Sequence, residues 1–257
     1  MKNDYTLLVQ IYVDDIIFVT TNPKLCKKFF KLMQDKFEMS MMGELTLFLG
    51  SQVKQLENGT FIIQNIYTKK LLKNFGMENC SASTTLMSSP VKLDKDEDGI
   101  SVEVTMYRGL IGSLLYLTTS KSDIVFAVCL CARFHSDPKQ YHYLAAERIL
   151  KYLKGTQNFG LWYAKDNSFN LVGYSDTDYA GCKLERKSTS GSYQFLGDRL
   201  ISWFSKKQTY VATSTTEAEY LARRSCCAKL LWMQQQLRDY GIEAKESPIF
   251  MTVLAQS

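Results

Sequence analysis

The stretch LLVQIYVDDIIFVTT, residues 7–21, constrains this chain more than any other. It places two adjacent acids, Asp14 and Asp15, inside an otherwise apolar run. The flanks, 5–12 and 16–20, are rich in β-branched and aromatic residues and predict a β-hairpin with the acids at its tip. Successive strand side chains point to opposite faces, so a regular strand cannot send both acids into one tight site. A turn relaxes that rule. Carboxylates raised on a hairpin tip can ligate Mg²⁺, which prefers oxygen donors. Two such ions about 3.5–4 Å apart clamp the attacking and leaving oxygens of a phosphoryl transfer. By residue type alone, a plain acidic turn fits better, since Asp is a common turn residue.

Further along, Asn22-Pro23 supplies an N-cap and a first-turn proline, and Leu25, Phe29, Leu32, Met33 and Phe37 follow at helical spacing. LTLFLGSQVKQLENGTFIIQ reads as a second hairpin with a type I′ turn at Asn58-Gly59. A short helix over 67–75 ends at Gly76. The polar stretch KLDKDEDG, 92–99, reads as a surface loop or linker. A helix is expected from Asp137-Pro138 to Gly155. Ala146, Ile149, Leu150 and Leu153 form its apolar stripe, and Arg148, Lys151 and Lys154 cluster on another face. Beyond Lys165, FNLVGYSD reads as a strand, STSGSYQFLGDRLISWFS as two strands joined at Gly197-Asp198, and TYVATS as a further short one. A long helix over 215–240 closes at Gly241, and the tail begins like another strand. A domain boundary is placed between Asn158 and Asn170.

Composition narrows the function classes. The chain has 257 residues, 46% hydrophobic and 22% charged, enough for one large domain or two smaller ones. Its net charge of +5 permits a polyanionic partner without requiring one. Seven cysteines without a CxxC, and only His135 and His142, argue against zinc and fit reduced intracellular thiols. No apolar run is long enough to span a bilayer, and the first residues carry no signal-peptide pattern.

Two further acids sit at chemically useful positions. Asp176 ends the strand LVGYSD, with Asp178 as its competitor on the same face; either also fits a turn former. On the long helix, Ser214 with Glu217 and Thr216 with Glu219 both fit capping boxes.

The whole set of strings resembles one family. VQIYVDDIIFVT is similar to the Tyr-x-Asp-Asp palm hairpin of copia-type LTR retrotransposon Pol polyproteins. The resemblance continues in family order through MGELTLFLGSQV, YTKKLLKNFGM, YRGLIGSLLYLT, HSDPKQYHYLAAERILKYLKGT, GYSDTDYAGC, RKSTSG, LISWFSKKQ and STTEAEYLA. It implies that Asp14 and Asp15 are polymerase metal ligands and that FLGSQV lies in the primer-gripping hairpin. It implies that 1–95 is the C-terminal part of a palm and that 96–165 is a helical thumb or connection. Arg148, Lys151 and Lys154 could follow a phosphate backbone there, or form a solvated helix face. It implies that 166–257 is an RNase H-like domain in which Asp176 and Glu219 hold metal while Glu217 caps. The implied cofactor is Mg²⁺. The implied partners are RNA, DNA or their hybrid, with further Pol segments. The implied location is a cytoplasmic virus-like particle.

The family also needs parts that these residues do not supply. A third polymerase carboxylate and the fingers lie upstream of the hairpin in the family, whereas thirteen residues precede Asp14 here. A third RNase H Asp is expected on the strand after the long helix, whereas SPIFMTVLAQS contains no acid. Back-translated one base earlier, Met251-Thr252 yields an Asp codon, and a frameshift near Phe250 or Met251 is expected. The fold class expected is α+β: a partial palm, a helical region, and an incomplete RNase H-like mixed sheet with a helix. The chain is expected to catalyse neither polymerisation nor hybrid hydrolysis. The alternatives are a noncatalytic, salt-sensitive nucleic-acid binder and an unstable pseudogene product.

Overall fold

A computed structural model describes residues 5–87, 93–165, 168–243 and 246–251. The chain separates into two compact units, Met1–Phe48 and Leu49–Ser257. Their architecture is mixed α and β.

In the first unit, β1 (Leu7–Tyr12) pairs antiparallel with β2 (Asp15–Thr20), with Tyr12 opposite Asp15. Val13 and Asp14 therefore make the two-residue turn, and Val13 takes a left-handed φ of 50°. Helix α1 (Pro23–Gln34) starts as expected: the Asn22 side chain accepts the Lys24 amide, with proline in the first turn. Phe29 of α1 meets Phe18 of β2 at 5.0 Å between ring centroids. Little else is sequestered. No residue of α1 is buried, and Ile11, Val13, Val19 and Met42 are exposed. A two-residue strand, β3 (Leu47–Phe48), ends the unit.

The second unit contains two sheets and a helical layer. β4 (Ser51–Leu56), β5 (Gly59–Ile63) and β6 (Leu161–Ala164) pair antiparallel in that order. Leu56 faces Gly59, so Glu57 and Asn58 form the loop, and none of 57–59 has positive φ. The expected type I′ turn at Asn58-Gly59 is not formed. Gly59 serves close approach instead: a Cβ there would sit 2.6 Å from both the Trp162 ring and the Tyr163 carbonyl oxygen. Helix α2 (Asn65–Asn74) ends as expected at Gly76, φ 66°, whose amide bonds Lys73 O while Met77 N bonds Leu72 O.

The helical layer comprises α3 (Val104–Leu117), α4 (Val125–Cys131) and α5 (Gln140–Gly155). Tyr107, Leu110, Leu114, Ile149, Leu150 and Leu153 are wholly buried in its core together with residues of α2. Helix α5 starts two residues later than the Asp137 cap and Pro138 first turn predict, with Lys139 as its N-cap. Tertiary pairing takes those residues: Pro138 O accepts the Val102 amide, Gln140 N donates to Ile100 O, and Ser101 bridges Lys139. Buried His142 completes this junction. Its Nδ1 accepts the Lys139 amide at 2.9 Å, its Nε2 donates to Asp94 O at 2.6 Å, and its ring stacks on Phe134. That use of both ring nitrogens fixes a neutral tautomer.

The second sheet has the order β10-β7-β8-β9. β7 (Leu171–Asp178), β8 (Thr189–Leu196) and β9 (Arg199–Lys207) are consecutive antiparallel neighbours, whereas β10 (Ile249–Met251) runs parallel to β7. Helix α6 (Thr215–Asp239) lies between β9 and β10 in sequence and closes before Gly241, φ 74°. It packs Cys226, Leu230 and Met233 with Leu171. Gly173 admits the helix: a Cβ there would lie 2.7 Å from Cys226 Sγ and 2.8 Å from Leu230 Cδ1. TYVATS is not a strand. Tyr210 and Val211 are exposed and the segment forms bends leading into the Ser214 cap.

Candidate functional site

In the first unit, Asp14 sits in the turn and Asp15 opens β2, and both are exposed. The turn thus lifts adjacent carboxylates off the alternation of a regular strand. Oxygen donors open to water suit Mg²⁺, which is commonly held through one or two carboxylates plus waters and substrate phosphates. Asp14 and Asp15 would be those carboxylates, and the ion would neutralise charge on transferring phosphate.

In the second unit, Asp176 is exposed on β7. Alternation turns Leu171, Gly173 and Ser175 toward α6 and leaves Val172, Tyr174 and Asp176 on the other face. There the Tyr193 phenol is pushed above its ordinary value by burial, with the charges of Asp123 and Asp176 adding to it. Asp178 ends the strand, and its carboxylate occupies the space that a Cβ on Gly181 would need. Glu217 caps: its Oε2 accepts from Thr213 N at 2.7 Å and Thr213 Oγ1 at 2.6 Å, while Ser214 Oγ accepts the Glu217 amide. Glu219 is half-buried on α6. Among the described residues no three His, Cys, Asp or Glu side chains gather around a space for a metal. At the end of β10, Met251 pairs opposite Ser175, and Arg223 directs Nε and Nη2 at its Sδ, 3.1 and 2.6 Å away. Residues 252–257 of the tail lie outside the described residues.

The three bases on α5 already have protein partners. Arg148 donates to Thr85 O and Oγ1, Lys154 to the carbonyls of Glu78 and Cys80, and Lys151 pairs with Glu147 at 2.8 Å. Lys151 O also accepts the Ser83 amide, so this face of α5 clamps residues 78–85. The acceptors of Arg148 and Lys154 lie far back in sequence, which is why periodicity along α5 does not reveal them, whereas Glu147 sits one turn before Lys151 on the same helix.

Sequence reasoning missed a second group of cations. The β7–β8 connection closes by Cys182 N to Lys187 O at 3.1 Å and Arg186 N to Cys182 O at 2.8 Å. Glu185 at its tip is held by both Lys187 and Lys207. Those two lysines lower its carboxyl to about 2. The depressed folded value makes the linkage present above the ordinary 4.5 and lost as pH falls from there to about 2. An NMR titration should find the Glu185 midpoint near 2 in the wild type and higher in Lys207→Ala. A wild-type midpoint near 4.5 would contradict the double clamp.

Comparisons with known proteins fit this picture. The family model for reverse transcriptase (RNA-dependent DNA polymerase) matches residues 1–89. The retrovirus-related Pol polyprotein from transposon RE1 of Arabidopsis thaliana is 36% identical over 93% of this chain. The corresponding protein from transposon TNT 1-94 of Nicotiana tabacum is 31% identical over 97% of it. The chain spans only 16% and 19% of the lengths of those polyproteins. An uncharacterized mitochondrial protein of Arabidopsis thaliana, AtMg00810, is 35% identical over 86% of this chain and 92% of its own length. An ordered match across nearly all of these residues, with the acid-tipped hairpin inside the reverse transcriptase segment, leaves one assignment: the chain belongs to the copia-type retrotransposon Pol polyprotein family.

Proposed function

We propose that the chain is a fragment of the polymerase and ribonuclease part of such a polyprotein. In this reading residues 1–95 derive from the palm, 96–165 from a thumb or connection, and 166–257 from an RNase H-like domain. Asp14 and Asp15 are metal ligands of the polymerase hairpin; Asp176 and Glu219 are those of the ribonuclease. The ancestral reactions are Mg²⁺-dependent DNA synthesis and cleavage of RNA in hybrids. These 257 residues perform neither, because each site holds two acids where a two-metal cage needs more.

The observation that carries the ribonuclease part is the order of the second sheet. Hairpin-linked β7, β8 and β9 are followed by α6 across one face and by β10 returning parallel to β7. Arg223 supports the frameshift reading. A thioether is a weak acceptor for a guanidinium, and an acid at position 251 would give it a charge-assisted partner.

The test is purified chain with Mg²⁺ in primer-extension and hybrid-cleavage assays, beside Asp14→Asn and Asp176→Asn. No activity above the variants is expected. Extension that Asp14→Asn abolishes would overturn the inactive assignment. The exposed apolar hairpin of the first unit favours a second reading, an unstable product prone to strand pairing. Cooperative unfolding of monodisperse protein would count against it.

A further inference from the structure

We propose that Arg186 and Lys206, with the cations around them, form a contact surface for the phosphate backbone of an RNA–DNA hybrid laid across the end of the β7–β9 sheet. This rests on the nucleic-acid reading above and adds the surface that serves it.

The register assembles the patch. Lys207 pairs opposite Thr189 and Lys206 opposite Ser190, the first residues after the β7–β8 connection. That puts the end of β9 beside the connection carrying Lys183, Arg186 and Lys187. Arg133 joins them by donating to Thr189 Oγ1 at 2.7 Å. The six cations outnumber the acids set among them. Glu185 engages Lys187 and Lys207, and Asp94 engages Lys183 at 3.2 Å. Among the described residues the exposed side chains of Arg186 and Lys206 have no ion-pair or hydrogen-bond partner. Arg186 also holds a left-handed φ of 53° at the tip of the closed connection. Cations of this kind address phosphates, not base edges.

The location connects the patch to the candidate acids. Asp178, Thr189 and Lys207 form one rung across three strands, and Asp176, Gly191 and Ser205 form another. Lys206 lies on the rung between them, with Ser190 and Thr177, two strands across from β7 and about 10 Å away at ordinary strand spacing, and alternation sends its side chain to the face opposite Asp176 and Asp178. A backbone held there crosses the end of the sheet that carries the candidate acids, on the α6 side rather than over the face of Asp176 and Asp178. The bases on α5 are satisfied within the protein, whereas these two are open to an incoming anion.

The test is fluorescence anisotropy of a labelled RNA–DNA hybrid with the full chain at a series of salt concentrations. The Arg186→Gln/Lys206→Gln double variant should bind more weakly and lose about 1.5–2 from the slope of log affinity against log salt. The charge-retaining pair Arg186→Lys/Lys206→Arg should restore most of the slope. A charge-matched control on exposed α1 positions, Lys27→Gln/Lys28→Gln, should keep the wild-type slope. Equal slopes in wild type and the patch variant would overturn the inference, as would an equal loss in the α1 control. A wild-type chain that binds no hybrid at any salt would instead overturn the nucleic-acid reading itself.

Discussion

Lys121→Met should destabilise the Leu49–Ser257 unit by about 2–4 kcal/mol, the loss expected when buried carbonyls lose a charged donor. Lys121 is only 2% exposed, and its Nζ donates to Thr156 O at 2.8 Å and Phe159 O at 3.1 Å. Thr156 is the C-cap of α5, where a cation also meets the negative end of the helix dipole. Methionine fills the volume but leaves both oxygens without that donor. Relief of the buried charge offsets part of the loss, which is why the expected figure stays below the sum of two charged hydrogen bonds. Burial lowers the lysine's pKa, and the nearby Asp123 charge opposes the shift. Between the lowered folded value and the ordinary 10.5 the unfolded chain binds more protons, so wild-type stability rises with pH across that window. Urea unfolding near neutrality and at alkaline pH should show the rise in the wild type and its loss in Lys121→Met. Equal stabilities near neutrality would mean that the carbonyls find other donors.

Gly160→Ala should cost about 3 kcal/mol or more, at the upper end of overpacking effects. Gly160 links α5 to β6 where the chain crosses β5. A Cβ there would overlap the Ile62 carbonyl oxygen and lie 3.2 Å from Ile63 Cβ. The obstruction is backbone, so no side-chain rotation relieves it. Relief requires β6 to withdraw from its pairing of Leu161 with Ile62 and Trp162 with Phe61. A lower urea midpoint, with Gly109→Ala as a control where a Cβ meets nothing within 4 Å, measures the effect. Unchanged stability would show that the α5–β6 junction can shift freely.

These two positions illustrate what local sequence withholds. Capping signals are local and could be read directly: Asn22-Pro23 begins α1, Ser214 begins α6, and Gly76 and Gly241 follow their helices. The acid-tipped hairpin was legible for the same reason, since strand, turn and strand are contiguous. Signals decided by distant partners misled. Asp137-Pro138 has the chemistry of a helix start but is taken up by pairing with residues 100–102. TYVATS has strand composition but no neighbouring strand to satisfy it. Arg148, Lys151 and Lys154 form a regular basic face, yet the acceptors of Arg148 and Lys154 are fixed by how residues 78–85 cross α5. The open cations of KLERKS and SKKQ were equally visible as letters. Only the β8–β9 register makes them neighbours.

The parallel return of β10 has a consequence for the order of folding. β7, β8 and β9 join through short connections and can pair as soon as their neighbours emerge, because little chain entropy is lost. The other side of β7 must wait until α6 has been made and Ile249–Met251 has come back along Gly173–Ser175. During synthesis the interior strand of the finished sheet is therefore a bare edge, flanked by the exposed aromatic ring of Tyr174. β10 closes that edge late, and the interval before it docks is when another chain can take its place.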